Sequence, residues 1–200
     1  MCDLAENIIL KERRDLAIIG YDKPIIIFDK DGLKLDVSNQ WGELVIHLEL
    51  DNIDVMSTKI GEHLSIIEDI KQCPQDARVL VAGLGFGLNL LYLAESKKTK
   101  EVIVCEIDQR VLDKFSVPIA DYLHKNYPDF NFIIVKGDVY EEITKHGLFD
   151  WVYIDLINGV DQKFYGLANS VLTRNGKQTH FKDVTLDSSS KEQTYGKFIY

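Results

Sequence analysis

The sequence predicts an α/β protein with a doubly wound, mostly parallel sheet. Four short segments are rich in apolar residues, and the first three are apolar throughout, which is typical of strands that are covered on both faces. Helix-forming stretches separate them, as expected where helices connect parallel strands. The first segment also runs directly into alternating glycines, a pattern that predicts a strand, a tight turn and a helix in that order. The four segments are residues 79–82, 102–105, 132–135 and 149–155.

The first 57 residues are predicted to form a separate amino-terminal unit. Residues 1–14 are polar and capable of forming a helix. Residues 25–28 and 33–37 flank a glycine turn, which predicts a β-hairpin, and residues 44–50 predict a further strand. We therefore expect a helix and a small antiparallel β-hairpin unit ahead of the parallel sheet.

Helical periodicity accounts for most of the sequence between the predicted parallel strands. Apolar residues recur at helical spacing over residues 58–71 and again over residues 109–127. The second stretch contains Pro118, which is expected to kink the helix or to split it in two.

The end of the sequence predicts an abbreviated fold. Residues 163–172 predict a helix, and Arg174-Asn175-Gly176 are expected to turn the chain into a fifth strand at residues 177–181. A complete sheet of this class needs a further helix and two more strands, roughly 50 residues. We expect residues 186–200 to be a polar tail instead.

Composition excludes several classes of function. The 200 residues carry a formal net charge of −9, which disfavours nucleic acid as a partner. No apolar run approaches the roughly 20 residues that cross a bilayer, and the amino terminus lacks the pattern of a signal peptide. A cytoplasmic location is therefore expected. The three cysteines and five histidines are scattered, so that we expect neither a disulfide framework nor a metal site.

An acidic residue at the end of the second apolar segment points to a nucleoside-containing ligand. Glu106 follows the glycines by about 20 residues, where a carboxylate is placed to accept hydrogen bonds from ribose hydroxyls. The amides at the start of the helix after the glycines offer donors to a polar or anionic group.

The glycines follow the pattern G-x-G-x-G, whereas a dinucleotide site expects G-x-G-x-x-G, and Leu88 occupies the position of the expected third glycine. With Glu106, this pattern resembles the class I S-adenosylmethionine-dependent methyltransferase family and, within it, the spermidine synthase-like proteins. Val81, two residues before the first glycine, is apolar as in spermidine synthases. The resemblance implies a Rossmann-like nucleoside-binding domain over residues 58–185.

This resemblance implies S-adenosylmethionine as the cofactor. The glycine loop would approach the methionine portion, Glu106 the ribose and Asp138 the adenine amino group, while the amide of Val139 would pair with a ring nitrogen. The implied cofactor-binding residues are Gly83, Leu84, Gly85, Phe86, Gly87, Glu106, Ile107, Asp138, Val139 and Glu62.

The resemblance also singles out residues for the reacting end of the site. Glu62 and His63 stand near the position of a Tyr-His-Glu stretch in spermidine synthases, and they are either ligands for the methionine end or solvent-facing helix residues. Asp155 matches the first aspartate of an Asp-Ser-Ser-Asp motif and is the catalytic candidate. Asn158 replaces the second aspartate, and an amide cannot act as a general base.

Three interpretations follow from these residues. The first is transfer of a methyl group from S-adenosylmethionine to a small-molecule acceptor, with Asp155 orienting the acceptor or taking its proton. The second is transfer of an aminopropyl group from decarboxylated S-adenosylmethionine, with Glu62 near the cofactor amine. The third is a non-catalytic nucleoside-binding or regulatory protein. A homodimer formed through the hairpin unit is compatible with all three.

Overall fold

The computed structural model describes residues 25–40, 43–156 and 162–180. Within these ranges an antiparallel sheet precedes a parallel sheet that is flanked by helices. The strands are β1 (Ile25–Lys30), β2 (Leu33–Gln40), β3 (Glu43–Leu50), β4 (Ile53–Ser57), β5 (Ala77–Ala82), β6 (Thr99–Glu106), β7 (Phe132–Lys136), β8 (Phe149–Ile154) and β9 (Leu172–His180). The helices are α1 (Ile60–Ile70), α2 (Leu88–Ser96), α3 (Gln109–Val111), α4 (Val117–Asn126), α5 (Val139–Glu142) and α6 (Gln162–Ser170), and a π-helical turn (Leu112–Ser116) joins α3 to α4.

The larger sheet confirms the predicted doubly wound fold. Its strand order is β7-β6-β5-β8-β9, and each neighbouring pair among the described strands is parallel. The chain therefore moves outward from β5 to β7 and then returns to the other side of β5. Ligands of such sheets bind at the carboxyl ends of the strands where the order reverses, here between β5 and β8.

The central strands β5, β6 and β8 are buried on both faces, since successive side chains of a strand point to opposite faces. Val79 and Val81 pack in one apolar cluster with Trp151 and with residues of α1, α2 and α4. Leu80 and Ala82 pack in a second cluster, with residues of α5 and α6. The edge strand β7 was also predicted to be buried, but this is wrong: among the described strands it pairs on one side only, and its Ile133 is 49% exposed.

The amino-terminal sheet has one strand more than the sequence indicated. Its order is β1-β2-β3-β4, antiparallel throughout, and β4 was not predicted. Asp51 and Asn52 form the preceding turn, both with positive φ, which aspartate and asparagine tolerate better than most residues. Leu35 and Leu48 of this sheet belong to the apolar cluster that also holds Val79, so the two sheets share one core.

Pro118 does not end the helical region in which it lies. It is the second residue of α4, but the residues before it are already helical, so its missing amide falls within a continuous helical region. The helix accommodates the proline by widening into the π-helical turn ahead of it. In that turn the Ser116 hydroxyl donates to the Leu112 carbonyl at 2.6 Å. The expected kink or split is therefore a local widening of the helix.

The predicted turn at Arg174-Asn175-Gly176 lies inside β9. Leu172 pairs with Phe149, whereas Lys177 pairs with Trp151, so the intervening residues of β9 bulge out of register. A Cβ on Gly176 would lie 2.9 Å from the Phe149 carbonyl oxygen, which explains a glycine at this point. The predicted fifth strand is confirmed, but the predicted turn ahead of it is a bulge within that strand.

Several predictions fall outside the described residues: the leader at residues 1–14, the substitution at Asn158 and the tail at residues 186–200. The predicted domain boundary after residue 57 falls in the connection between β4 and α1. None of the helices in the described ranges combines the length and apolar character that a membrane span needs.

Candidate functional site

The glycine loop connects β5 to α2 at the carboxyl end of the parallel sheet. The Gly83 amide donates to the Cys105 carbonyl at 2.9 Å, and the Asp155 amide donates to the Ala82 carbonyl at 2.9 Å. Gly83 has a φ of +101°, and a Cβ there would lie 2.2 Å from the Asp155 carbonyl oxygen. Only glycine satisfies both conditions, so this residue ties the start of the loop to the strand on each side.

The side chains of the two non-glycine residues in the loop do not face a ligand. Leu84 and Phe86 are each 2% exposed and belong to the core. Their backbone amides already donate within the protein: the Leu84 amide donates to Glu106 Oε2, and the Phe86 amide donates to Met56 Sδ at 3.2 Å. Met56 comes from β4 and lies directly against Gly85. The antiparallel sheet thus touches the glycine loop.

Glu106 ends β6 beside this loop. Its Oε2 accepts from the Leu84 amide at 2.9 Å, and its Oε1 accepts from the Asp108 amide at 2.8 Å. A carboxylate has about four acceptor positions, so these bonds leave room for two hydroxyl donors. The neighbouring Ile107 side chain is 63% exposed, an apolar surface at the mouth of the site.

A second carboxylate, that of Asp108 in the loop after β6, is held by an arginine. Asp108 caps α3 by accepting from the Arg110 amide at 2.8 Å, and it also accepts from the Arg110 guanidinium. That guanidinium lowers the pKa of Asp108 and, at the turn between β3 and β4, the pKa of Asp51. Sequence reasoning missed Arg110, since a link between residues 51 and 110 has no local signature.

The loop after β7 lies beside the same strand end. The Gly137 amide donates to the Glu106 carbonyl at 3.0 Å. Asp138 caps α5, and its Oδ1 accepts from the Tyr140 amide at 2.9 Å. The Val139 side chain is buried, so its backbone is what this residue can offer a ligand. The structure therefore brings Asp138 and Glu106 to one edge of the sheet.

Asp155 follows β8 on the other side of the glycine loop. Burial raises the pKa of its carboxyl to about 6, a hydrogen bond from Asn89 opposes that rise, and the charge of Glu106 adds to it. The Asn89 Nδ2 donates to Asp155 Oδ2 at 2.6 Å. Sequence reasoning missed Asn89, the second residue of α2, although its position just after the glycines was a signal. A carboxyl of this pKa can gain or lose a proton near neutral pH.

Glu62 and His63 lie at the start of α1 and are buried rather than solvent-facing. The Glu62 carboxylate accepts from both the amide and the hydroxyl of Ser57 at the end of β4. His63 Nδ1 is hydrogen-bonded to the Tyr92 hydroxyl of α2. Both residues therefore connect α1 to its neighbours, and a ligand role for Glu62 stays a prediction.

No protein-family profile matches the sequence, and no curated protein matches it either. Solved structures do match. A spermidine synthase from Thermotoga maritima superposes with a TM-score of 0.55 at 21% identity, over 78% of this chain and 55% of that one. A spermidine synthase in complex with the transition-state analogue AdoDATO gives the same values. A protein-L-isoaspartate O-methyltransferase gives a TM-score of 0.46 at 16% identity, over 80% of this chain and 42% of that one.

The two spermidine synthase structures confirm the predicted doubly wound fold. The chain shares with them a Rossmann-like parallel sheet flanked by helices, and it carries a small antiparallel sheet at its amino-terminal side. It spans about 55% of the length of the two spermidine synthases.

Proposed function

We propose that the protein is an S-adenosylmethionine-dependent transferase that moves a methyl group to a small acceptor. One observation carries the proposal. Glu106 and Asp155 flank the glycine loop at the point where the strand order reverses, which is where such sheets bind their ligands. One carboxylate is held by backbone amides beside the loop, and the other is a titratable group on the opposite side.

Residues at the carboxyl end of the sheet would each contact a different part of the cofactor. Glu106 would accept hydrogen bonds from the ribose hydroxyls through the acceptor positions that Leu84 and Asp108 leave open. Asp138 and the Val139 amide would contact the adenine, and the exposed Ile107 side chain would cover one face of the ring. The loop backbone would approach the methionine portion, while the space left by the missing Cβ atoms of Gly85 and Gly87 holds the Met56 and Ile119 side chains.

The cofactor supplies a methyl group that is already activated on a sulfonium, so that the protein need only align the acceptor with it. Alignment alone can contribute a large part of the rate enhancement. Asp155 would orient the acceptor or take its proton, and the Asn89 amide holds the carboxylate in place for that role.

Calorimetric titration tests the proposal. We expect binding of S-adenosylmethionine and S-adenosylhomocysteine to the wild type and loss of both in Glu106→Ala. Asp76→Ala is the matched control, since Asp76 is an exposed acidic residue in a turn ahead of β5. Absence of binding to the wild type would overturn the proposal and favour a protein of this fold with another role.

Aminopropyl transfer is the second candidate. Asp155 favours it, because a carboxyl group with a pKa near 6 can accept a proton from an attacking amine. This reaction would use decarboxylated S-adenosylmethionine, which lacks the cofactor carboxylate. Tighter binding of the decarboxylated form, weakened in Glu62→Gln, would support this candidate over methyl transfer.

A further inference from the structure

Arg110 connects the antiparallel sheet to the loop that follows β6. Its Nη1 donates to Asp51 Oδ1 and to the Asp31 carbonyl, both at 2.9 Å, and its Nη2 donates to Asp51 Oδ2 at 3.1 Å. Asp31 lies in the turn between β1 and β2, and Asp51 in the turn between β3 and β4. Both residues have positive φ, 53° and 52°, so both turns are tight. One guanidinium thus contacts two turns of the small sheet.

The same guanidinium holds Asp108. Its Nε donates to Asp108 Oδ1 at 3.0 Å, and its Nη2 donates to Asp108 Oδ2 at 2.5 Å. The Asp108 amide in turn donates to Glu106 Oε1 at 2.8 Å. A continuous series of hydrogen bonds therefore runs from Asp51 through Arg110 and Asp108 to the Glu106 carboxylate.

We propose that Arg110 is a positioning residue that sets the orientation of Glu106, and that the small sheet thereby determines how strongly the site selects ribose hydroxyls. This inference rests on the proposed function, since it assigns a role within the same nucleoside site. Glu106 must present its remaining acceptor positions at a fixed angle to discriminate a diol. Its Oε1 is oriented by an amide whose own residue, Asp108, is fixed by Arg110.

The chemistry of the contacts fits positioning better than stabilisation. Arginine offers five donors in a planar array and can bridge two carboxylates, which lysine cannot do with the same geometry. The Asp51 side chain is 69% exposed, and exposed ion pairs contribute little to folding stability. We therefore expect loss of the bridge to change ligand selectivity more than it changes folding.

The first experiment compares two ligands in matched variants. We would titrate S-adenosylhomocysteine and its 2′,3′-dideoxy analogue into the wild type, Arg110→Lys and Asp51→Asn. The wild type should prefer the diol by about tenfold or more, as expected for hydrogen bonds to a charged group. In both variants this preference should fall by at least about threefold, because Glu106 loses its fixed orientation.

Two further variants serve as controls for the preference between the two ligands. Asp76→Asn is the matched control for Asp51→Asn, because Asp76 is also an exposed aspartate with positive φ (55°), in a turn of its own. It should keep the full preference for the diol, whereas Glu106→Gln should lose it. A general loss of stability would weaken both ligands equally and leave their ratio unchanged. An unchanged ratio in both bridge variants would therefore overturn the proposal.

Amide hydrogen exchange tests positioning without any ligand. The Leu84 and Asp108 amides both donate to Glu106, so their protection should decrease in Arg110→Lys and Asp51→Asn. The Phe149 amide, which donates to the Val171 carbonyl in the distant part of the sheet, should keep its protection. Unchanged protection at Leu84 and Asp108 would overturn the positioning role. A wild type that binds neither ligand would overturn the proposed function, whatever the exchange result.

Discussion

The carboxylates on the two sides of the glycine loop are held by different means. On the side of β6 and β7, Glu106, Asp108 and Asp138 each accept hydrogen bonds from backbone amides. On the side of β8, Asp155 accepts from the side-chain amide of Asn89, and burial raises its pKa to about 6. Backbone donors fix the orientation of a carboxylate, whereas the burial of Asp155 with one side-chain donor leaves its carboxyl able to titrate near pH 6.

In the proposed function, this difference assigns binding to one side and chemistry to the other. A fixed acceptor suits recognition of hydroxyl and amino groups that do not change during a reaction. A carboxyl with a pKa near the working pH suits orientation or deprotonation of an acceptor. The variants described below test that division of roles, beginning with Gly83, which contacts the strand ends on both sides of the loop.

Substitution of Gly83 should damage both sides at once. In Gly83→Ala the new Cβ would meet the Asp155 carbonyl oxygen, at a φ of +101° that alanine rarely adopts. We expect a loss of roughly 3 kcal/mol or more in the free energy of unfolding, measured by urea denaturation. Gly166→Ala is the control: a Cβ there meets nothing within 4 Å in α6, so this variant should gain about 0.5–1 kcal/mol. Equal stability of the two variants would contradict the assigned role of Gly83.

Conservative substitutions of Glu106 and Asp155 should have different effects on binding and on transfer. Glu106→Gln should weaken S-adenosylmethionine binding by roughly 10- to 100-fold, because it removes charge from the ribose acceptor. Asp155→Asn should leave that affinity within about threefold and abolish transfer once an acceptor is known. Calorimetry and a turnover assay check this pair. The reverse pattern, with binding lost in Asp155→Asn, would show that the separation of roles is wrong.

The raised pKa of Asp155 should appear in the pH dependence of stability. The folded protein binds a proton at this carboxyl up to about pH 6, whereas the unfolded chain releases it near 3.8, so stability falls as the pH rises between these values. We expect a contribution of about 3 kcal/mol, lost between pH 4 and 7. The difference in unfolding free energy between wild type and Asp155→Asn, measured across this range, isolates it. A difference that does not change with pH would contradict the shift.

The smallest expected effect concerns Asp138. Asp138→Ala removes the cap of α5 and should cost about 1 kcal/mol in the free energy of unfolding. Asp138→Asn can still accept from the Tyr140 amide, so its stability should stay close to that of the wild type. Thermal denaturation of the two variants distinguishes them. If Asp138→Asn lost as much stability as Asp138→Ala, capping would not be the role of this carboxylate.

Most of the fold could be predicted from local patterns. Apolar segments indicated β5 to β8, since most of these strands are buried on both faces, and the glycines indicated the turn after β5, since their positive φ favours glycine. The exposure of the edge strand β7 could not be predicted, because it depends on the strand order. The strand β4 was missed, since its register with β3 depends on pairing rather than on its own composition. The bulge in β9 was mistaken for a turn for the same reason.

By itself, the sequence determined the fold class, the glycine loop and the acidic strand end beside it, because each depends on residues that are adjacent along the chain. Only the tertiary structure decided which groups fix these residues. Asn89 reaches Asp155, Met56 lies against Gly85, and Arg110 bridges Asp51 and Asp108. Apart from the bond between Arg110 and Asp108, these contacts join residues far apart in sequence. Such contacts arise only when the strands of the parallel sheet assemble and the small sheet packs against them, so no local pattern in the sequence predicts them.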